Sequence, residues 1–271
     1  MIGRKLLCVG FALSFWLCGC AATDKHHKRA RPALTTADFN TILLRNSWVM
    51  LEDLDWPEPQ RVNRGYDAAG REAFWTAFAG ESGTEIYCRA SISKAQMTAK
   101  KVHGRGLTLG HAVPAVRIAE TFGYAKRDCE TRGQGPRDQE ACLYATAELH
   151  NLWPAFGGIN SSRQDLGFGE LPGEDEYRRF KDYCPDFERS EGADAIVEPT
   201  DDAQGDLARS ILFMHFVYGV PLGAVVTNPA LLLEWHENDP PDAKEKRRNR
   251  IIFEHEGIAN PLIEAITGPS G

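Results

Sequence analysis

The sequence predicts an α+β protein, mainly helical, with a small antiparallel sheet. Apolar residues recur at helical spacing through the last third of the chain, at 203–218, 228–236 and 244–255. Extended, β-branched segments are few, short and early, at 84–92 and 107–109. With 271 residues, 42% hydrophobic and 25% charged, the chain is long enough for one large domain with its own core, or two small ones.

The N-terminus reads as a targeting segment. Arg4 and Lys5 precede an apolar run from Leu6 to Leu17, too short for a confident membrane span. The run ends in Leu17-Cys18-Gly19-Cys20, which resembles a bacterial lipoprotein cleavage box. The expectation is a lipoprotein-type signal peptide over 1–19, with the lipid on Cys20 attaching the protein to a membrane. Ordinary secretory cleavage is the alternative because Cys18 is an unusual occupant of its position, and a buried N-terminal helix is the plain structural reading. Residues 20–36, carrying Lys25-His-His-Lys-Arg-Ala-Arg31, read as a flexible basic tether, and 37–267 as a single domain. The protein is thus expected in the periplasm or on the outer membrane, or secreted if the lipid box is not used.

Of seven cysteines, Cys88, Cys129, Cys142 and Cys184 remain after Cys8, Cys18 and Cys20 are assigned to the leader and the lipid. An even number in an exported protein reads as disulfides. Cys129 and Cys142 flank a Gly/Arg-rich loop and are natural partners, which leaves Cys88 with Cys184. A zinc site is the alternative, although no Cys-x-x-Cys pair supports it.

Element by element, Thr36-Ala-Asp-Phe39 suits a helix start, and Ile42, Leu43, Trp48, Leu51 and Leu54 continue its apolar face up to Pro57. Gly70–Phe78 reads as a second helix with Phe74, Trp75 and Phe78 inward. Thr84–Ile92 reads as a strand, and Leu107–Leu109 as a short one delivering His111. Val116–Phe122 reads as helix, 125–142 as a loop, and Leu143–Leu152 as helix. Pro154 and Gly157-Gly158 signal a turn, with Asn160 on the turn or helix that follows. Residues 169–205 look irregular and acidic. The segments Ala203–Tyr218, Asn228–His236 and Lys244–His255 read as helices, with Pro229 in a first turn and Gly257 as a stop.

The net charge of −7 argues against a generally basic nucleic-acid-binding surface. Locally, Lys94, Lys100, Lys101, His103 and Arg105 form an acid-free basic stretch just before His111. Such a stretch is as often a solvated face as a binding site. A neutral imidazole is well suited to take a proton from water near pH 7. An amide oxygen such as that of Asn160 is a hard neutral ligand for Mg²⁺. Taken singly, His111 is more often structural, and Asn160 a turn former or cap.

The colinear set is more specific. Tyr87-Cys88, His111-Ala-Val-Pro-Ala115, Leu149-His-Asn-Leu-Trp-Pro-Ala155, Gly158-Ile-Asn160 with Arg163, Tyr183-Cys184, Glu198-Pro199 and Gly205-Asp-Leu-Ala-Arg209 follow in one order. From about Tyr87 to about Ile263 the chain resembles the bacterial endonuclease I family, exported nucleases with a ββα-metal (His-Me finger) core. The resemblance implies a metal-dependent, largely sequence-nonspecific endonuclease acting on DNA, with RNA as a further substrate, and working as a monomer. It implies His111 as general base, Asn160 as ligand of Mg²⁺ or another divalent ion, and Asn151 as the residue that orients the finger or the His111 ring. Arg132, three residues after Cys129, is implied as a catalytic, phosphate-binding arginine in preference to Arg137. Arg163 is implied as a second substrate contact, and His150 is expected to be structural.

The chain departs from the family at Gly110, where the family carries an acidic metal ligand immediately before its base. Another branch of the superfamily, with an Arg-Gly-His motif, also has Gly there. Ala90 replaces a further family cysteine. A second reading follows from Gly110 and the acidic charge: a catalytically impaired lipoprotein that keeps the fold and binds nucleic acid or a protein partner. A third, a Cys/His hydrolase, requires a free thiolate among the four cysteines.

Overall fold

A computed structural model describes residues 48–130, 139–173 and 175–264. The segments read as signal and tether, with Cys20, and both Arg132 and Arg137 lie outside the described residues. The architecture is α+β, as the sequence predicts. Helix α1 spans Ala68–Ala77. Short strands β1 (Gly83–Thr84) and β2 (Ser91–Ile92) pair antiparallel. Helix α2 (Lys94–Ala99) follows, then β3 (Lys101–Val102) and β4 (Arg105–His111). Helices α3 (Ala115–Thr121), α4 (Lys126–Glu130) and α5 (Glu140–Thr146) lead to β5 (Leu152–Phe156) and α6 (Gly157–Arg163). Strands β6 (Gly167–Phe168), β7 (Glu188–Arg189) and β8 (Ile196–Glu198) precede the long helices α7 (Asp201–Tyr218), α8 (Ala230–Asn238) and α9 (Ala243–Glu256).

Three small sheets form among the described residues: β1-β2, β3-β4-β5 and β6-β8-β7. The last contains a parallel pair, β6 with β8, which the alternation pattern did not announce. The middle sheet matters most. His111 pairs with Leu152 and Leu107 with Phe156, so β4 and β5 run antiparallel and the chain passes directly from β5 into α6.

Two sequence expectations are corrected. Thr84–Ile92 is not one strand. The buried Glu85 carboxylate accepts from the Tyr87 and Cys88 amides at 3.0 and 2.7 Å, which turns the chain back and splits the segment into β1 and β2. Leu143–Leu152 is not one helix. The helix ends at Thr146, and Leu152 already belongs to β5. The intervening turn is held from outside: Glu256 accepts from the Leu149 amide, and Arg248 donates to the carbonyls of Leu149 and Leu152. The 125–142 loop also begins and ends in helix, α4 and α5.

Pro154 lies inside β5, not at a turn. Its carbonyl accepts from the Ile86 amide at 3.1 Å, outside the β4–β5 ladder. The N and O of one strand residue point to the same side, so the position without an N–H also faces outward and no ladder bond is lost.

The core is continuous from the sheet to α7. Leu207, Ile211, Leu212, Phe213 and Met214 of α7 are fully buried and share one cluster with Trp153, Phe156 and Ile159. Burying a side chain such as Ile159 contributes about 2 kcal/mol. It fixes α6 against the strands. Gly205 lets α7 approach the segment after α8, because a Cβ there would stand 2.0 Å from the Asp239 carbonyl oxygen. Both disulfides form, Cys88–Cys184 and Cys129–Cys142, with Cα–Cα distances of 5.4 and 5.3 Å. With all four sulfurs paired, neither zinc nor a thiolate nucleophile can use them. Among the described residues no helix is long and apolar enough to cross a membrane.

Candidate active site

Strand β3 covers β4 only at Arg105 and Gly106. Beyond that point the outer carbonyls of β4 need other partners, and those partners build the site. The Leu109 carbonyl receives the Tyr66 hydroxyl at 3.0 Å and the Asn160 carboxamide nitrogen at 3.1 Å. The His111 carbonyl receives Nη1 of Arg163 at 3.2 Å, and the next carbonyl, of Ala112, receives Nη2 at 2.9 Å. Helix α6 is thus bound to β4 through two of its own side chains, and His111 and Asn160 come to the same place.

His111 ends β4, nearly buried, with its ring against the edge of Tyr66 at 4.2 Å between centroids. Its Nε2 lies 3.0 Å from the Thr146 carbonyl oxygen. A carbonyl only accepts, so Nε2 carries the proton of the neutral ring and Nδ1 is left with a lone pair. Burial, with Arg163 and Lys126 nearby, lowers the His111 pKa to about 4 against the pull of the Thr146 carbonyl. The ring is therefore neutral at pH 7, the state a base requires.

Asn160 sits in the middle of α6. Its Nδ2 donates to Thr108 Oγ1 at 3.2 Å as well as to Leu109. These two acceptors fix the sense of the carboxamide and leave Oδ1 toward the Tyr87 hydroxyl, which donates to it at 3.4 Å. Asn151, fully buried, pins the chain just after His111. Its Oδ1 accepts from the Val113 amide at 2.7 Å and its Nδ2 donates to the Val113 carbonyl at 3.1 Å. It fixes the main chain just after His111, while the ring itself is held by Thr146. His150 is buried and packs on Phe213 at 4.3 Å, a core position as expected.

A cavity of about 410 Å³ opens over these groups, lined in part by Tyr66, His111, Lys126, Asn160, Arg163 and Asp165. Arg163 is only 2% exposed, and its Nη1 and Nη2 are committed to main-chain carbonyls. Its charge reaches the cavity, but its first task is to join α6 to β4. Lys126, half-exposed and 4.0 Å from Asp165, is the more accessible cation on the wall. The basic stretch at 94–105 is partly engaged elsewhere: Lys100 lies over Trp75 and beside Glu72, and Arg105 lies over Tyr183.

Sequence reasoning missed Tyr66, Thr146 and Lys126. Thr146 acts through its carbonyl, which no side-chain pattern reveals. Tyr66 arrives from outside the motif-bearing stretch, and Lys126 lies in a segment read only as an Arg-rich loop.

No group of three or more His, Cys, Asp or Glu side chains stands close enough to cage an ion among the described residues. The donor chemistry instead suits a hard divalent cation that keeps most of its waters and takes one amide oxygen from the protein, Oδ1 of Asn160. A Cβ placed on Gly110 would stand only 3.1 Å from that oxygen, tighter than ordinary contact, so the glycine lets Asn160 lie close against the strand.

The chain belongs to the endonuclease I family, whose sequence profile matches residues 43–266. It is similar to an extracellular deoxyribonuclease of Aeromonas hydrophila, 31% identical over 117 residues, covering 43% of this chain and 48% of that protein. An extracellular ribonuclease of Bacillus amyloliquefaciens is 31% identical over 133 residues, 43% of each chain. Endonuclease-1 of Buchnera aphidicola subsp. Acyrthosiphon pisum is 30% identical over 155 residues, covering 56% of this chain and 57% of that one. The chain spans about half the length of these curated relatives.

Proposed function

We propose that the protein is a divalent-metal-dependent, largely sequence-nonspecific endonuclease that hydrolyses DNA, and RNA as a further substrate, outside the cytoplasm. The observation that carries this is the meeting of His111 and Asn160 over one polar cavity. One ends β4, the other sits in the helix that β5 leads into, and both depend on the Leu109–Ala112 main chain. Family membership supports the reaction class. The extracellular relatives and the paired cysteines support export.

In this reading His111 Nδ1 takes a proton from water, and the water oxygen attacks phosphorus. The bond from phosphorus to the 3′ oxygen breaks, the departing oxygen takes a proton from solvent, and a 5′-phosphate and a 3′-hydroxyl are left. Thr146 holds the ring and, through Nε2, stabilises its charge once the proton has arrived. Asn160 would hold the ion, Mg²⁺ or another divalent metal, whose chemistry is to offset negative charge on the phosphate and on the departing oxygen. Lys126 and the charge of Arg163 attract the phosphodiester, a part Arg132 also takes in this reading.

The test is plasmid cleavage by the purified, disulfide-bonded protein in Mg²⁺ and in EDTA, beside His111→Ala. Cleavage that needs the metal and drops on the order of 10²-fold or more in the variant is expected. Equal cleavage by the variant would sink the assignment of the base. Salt-sensitive DNA binding without cleavage in any divalent ion would point to the binding-only reading, with Gly110 as its cause.

A further inference from the structure

Tyr87 was singled out by sequence only as a neighbour of Cys88. The structure puts its hydroxyl in the site. Oη lies 3.4 Å from Asn160 Oδ1, and 3.4 Å from where a Cβ on Gly110 would be. That same Cβ position is 3.1 Å from Asn160 Oδ1 and from Ala155 Cβ. Gly110, Asn160 and Tyr87 therefore border one niche too tight for a Cβ at ordinary contact, and a side chain at position 110 would press on both oxygens.

The phenol reaches this niche from a rigid base. The Tyr87 amide is held by Glu85 at 3.0 Å, its carbonyl accepts from the Thr200 amide at 3.0 Å, and Cys88 next to it is bonded to Cys184. Its ring is fully buried and meets the edge of Phe187 at 5.8 Å. A tyrosine needed only for packing has no use for an oxygen aimed at a carboxamide that the other side of the site already orients.

We propose that Tyr87 is a positioning residue for the metal-binding oxygen, and that its hydroxyl supplies from across the niche part of the support that strand β4 lacks at Gly110. By donating to one lone pair of Asn160 Oδ1, it holds the other toward the cavity, where a cation is to bind. A carbonyl oxygen has two lone pairs, so one donor and one cation are compatible. A phenol carries its proton at neutral pH, so the group is a donor to the carboxamide oxygen. This inference rests on the metal-dependent nuclease reading and goes beyond it by assigning a residue.

The test is direct binding of Mn²⁺, without nucleic acid, followed by the electron paramagnetic resonance signal of the free ion. Four proteins are compared: wild type, Tyr87→Phe, Asn160→Ala and the double variant. Removing one hydrogen bond of this kind is expected to weaken Mn²⁺ binding about 3- to 10-fold in Tyr87→Phe. The double variant is expected to bind no worse than Asn160→Ala alone, because the hydroxyl acts through that oxygen. DNA binding in EDTA and the melting temperature should stay at wild-type values in Tyr87→Phe. Wild-type Mn²⁺ affinity in Tyr87→Phe overturns the inference, as do losses that multiply in the double variant. A collapse of the Tyr87→Phe fold overturns it too, by making the hydroxyl a structural strut. Absence of Mn²⁺ binding by the wild type instead overturns the nuclease reading itself.

Discussion

Asn160 donates its carboxamide nitrogen to the carbonyl of Leu109 at 3.1 Å, two residues before His111 on the same strand. The residue assigned to the ion thus takes its orientation from the strand that presents the base. Asn160→Ala is expected to lower cleavage by about 10²-fold or more, the scale set by losing one preorganised electrostatic partner. High Mg²⁺ should restore part of it, because bulk ion compensates for lost affinity but not for lost orientation. A Mg²⁺ titration identical to the wild type would show that the oxygen is not a ligand.

The burial of His111 has a readable pH signature. Its pKa is lowered to about 4, so kcat/KM should hold down to roughly that pH and fall below it as Nδ1 is protonated. An acid limb near the unperturbed histidine value, about 6.5, would contradict the buried, Thr146-bonded ring. Stability follows the same group. Between pH 6.5 and 4 the unfolded chain binds a proton that the folded chain refuses. Stability therefore rises with pH across this window and is lost as pH falls, by about 3 kcal/mol in all for this one group. Urea midpoints at pH 4.5 and 6.5 for wild type and His111→Ala isolate the difference.

Thr146 links His111 to a disulfide. Its carbonyl accepts from His111, and its hydroxyl donates to the Cys129 carbonyl at 2.6 Å. The Cys129–Cys142 bridge closes a sequence separation of 13. Replacing both cysteines with Ala should cost about 3 kcal/mol of stability by loop entropy. It should also reduce kcat more than DNA binding, since α4 no longer braces the carbonyl that holds the ring. A variant that loses stability but keeps full kcat would separate the two roles.

Asn151→Ala should be worse than a routine core truncation. It leaves both the amide and the carbonyl of Val113 without their partner in a buried place. Each orphaned group costs about 1–3 kcal/mol. Asn151→Asp keeps the acceptor for the amide and sets an oxygen against the carbonyl, so thermal melting should place it between wild type and Ala.

Gln164 caps α6 with φ +52° and ψ −125°, a conformation that glycine adopts freely and glutamine only under strain. Gln164→Gly is expected to raise stability by about 1 kcal/mol if only backbone strain is relieved. Because Gln164 lines the cavity, cleavage by this variant tells whether the strain serves the site. A melting temperature below that of the wild type would show that the side chain earns its place by other contacts.

The long helices were legible because each announces itself locally. Pro229 starts one and Gly257 stops another, and the apolar spacing of Leu207, Ile211 and Met214 faces the core as read. The turn at 147–151 was not legible. Leu143 to Leu152 has an acceptable helical pattern, and it is broken by partners distant in sequence, such as Glu256 at Leu149, 107 residues away. The disulfides followed from counting and proximity. The His111–Asn160 pair was legible only as a resemblance to a family. What the sequence concealed is support given by the main chain: the carbonyls of Thr146, Leu109 and Ala112 hold a ring, an amide and a guanidinium, and a carbonyl carries no residue identity.

Between the two strands of the site the chain makes a long excursion, from Ala112 through α3, α4 and α5 to Asn151, and it is closed at its root. The Ala112 amide donates to the Asn151 carbonyl at 2.9 Å, and the Asn151 side chain grips Val113. A clasp at that point uncouples geometry from cargo. The strand register below it therefore does not depend on the length of the chain that the clasp encloses. Within the excursion, Thr146 and its Cys129 brace must stay to hold the His111 ring, and the remainder is what can vary in charge without disturbing the strand pair.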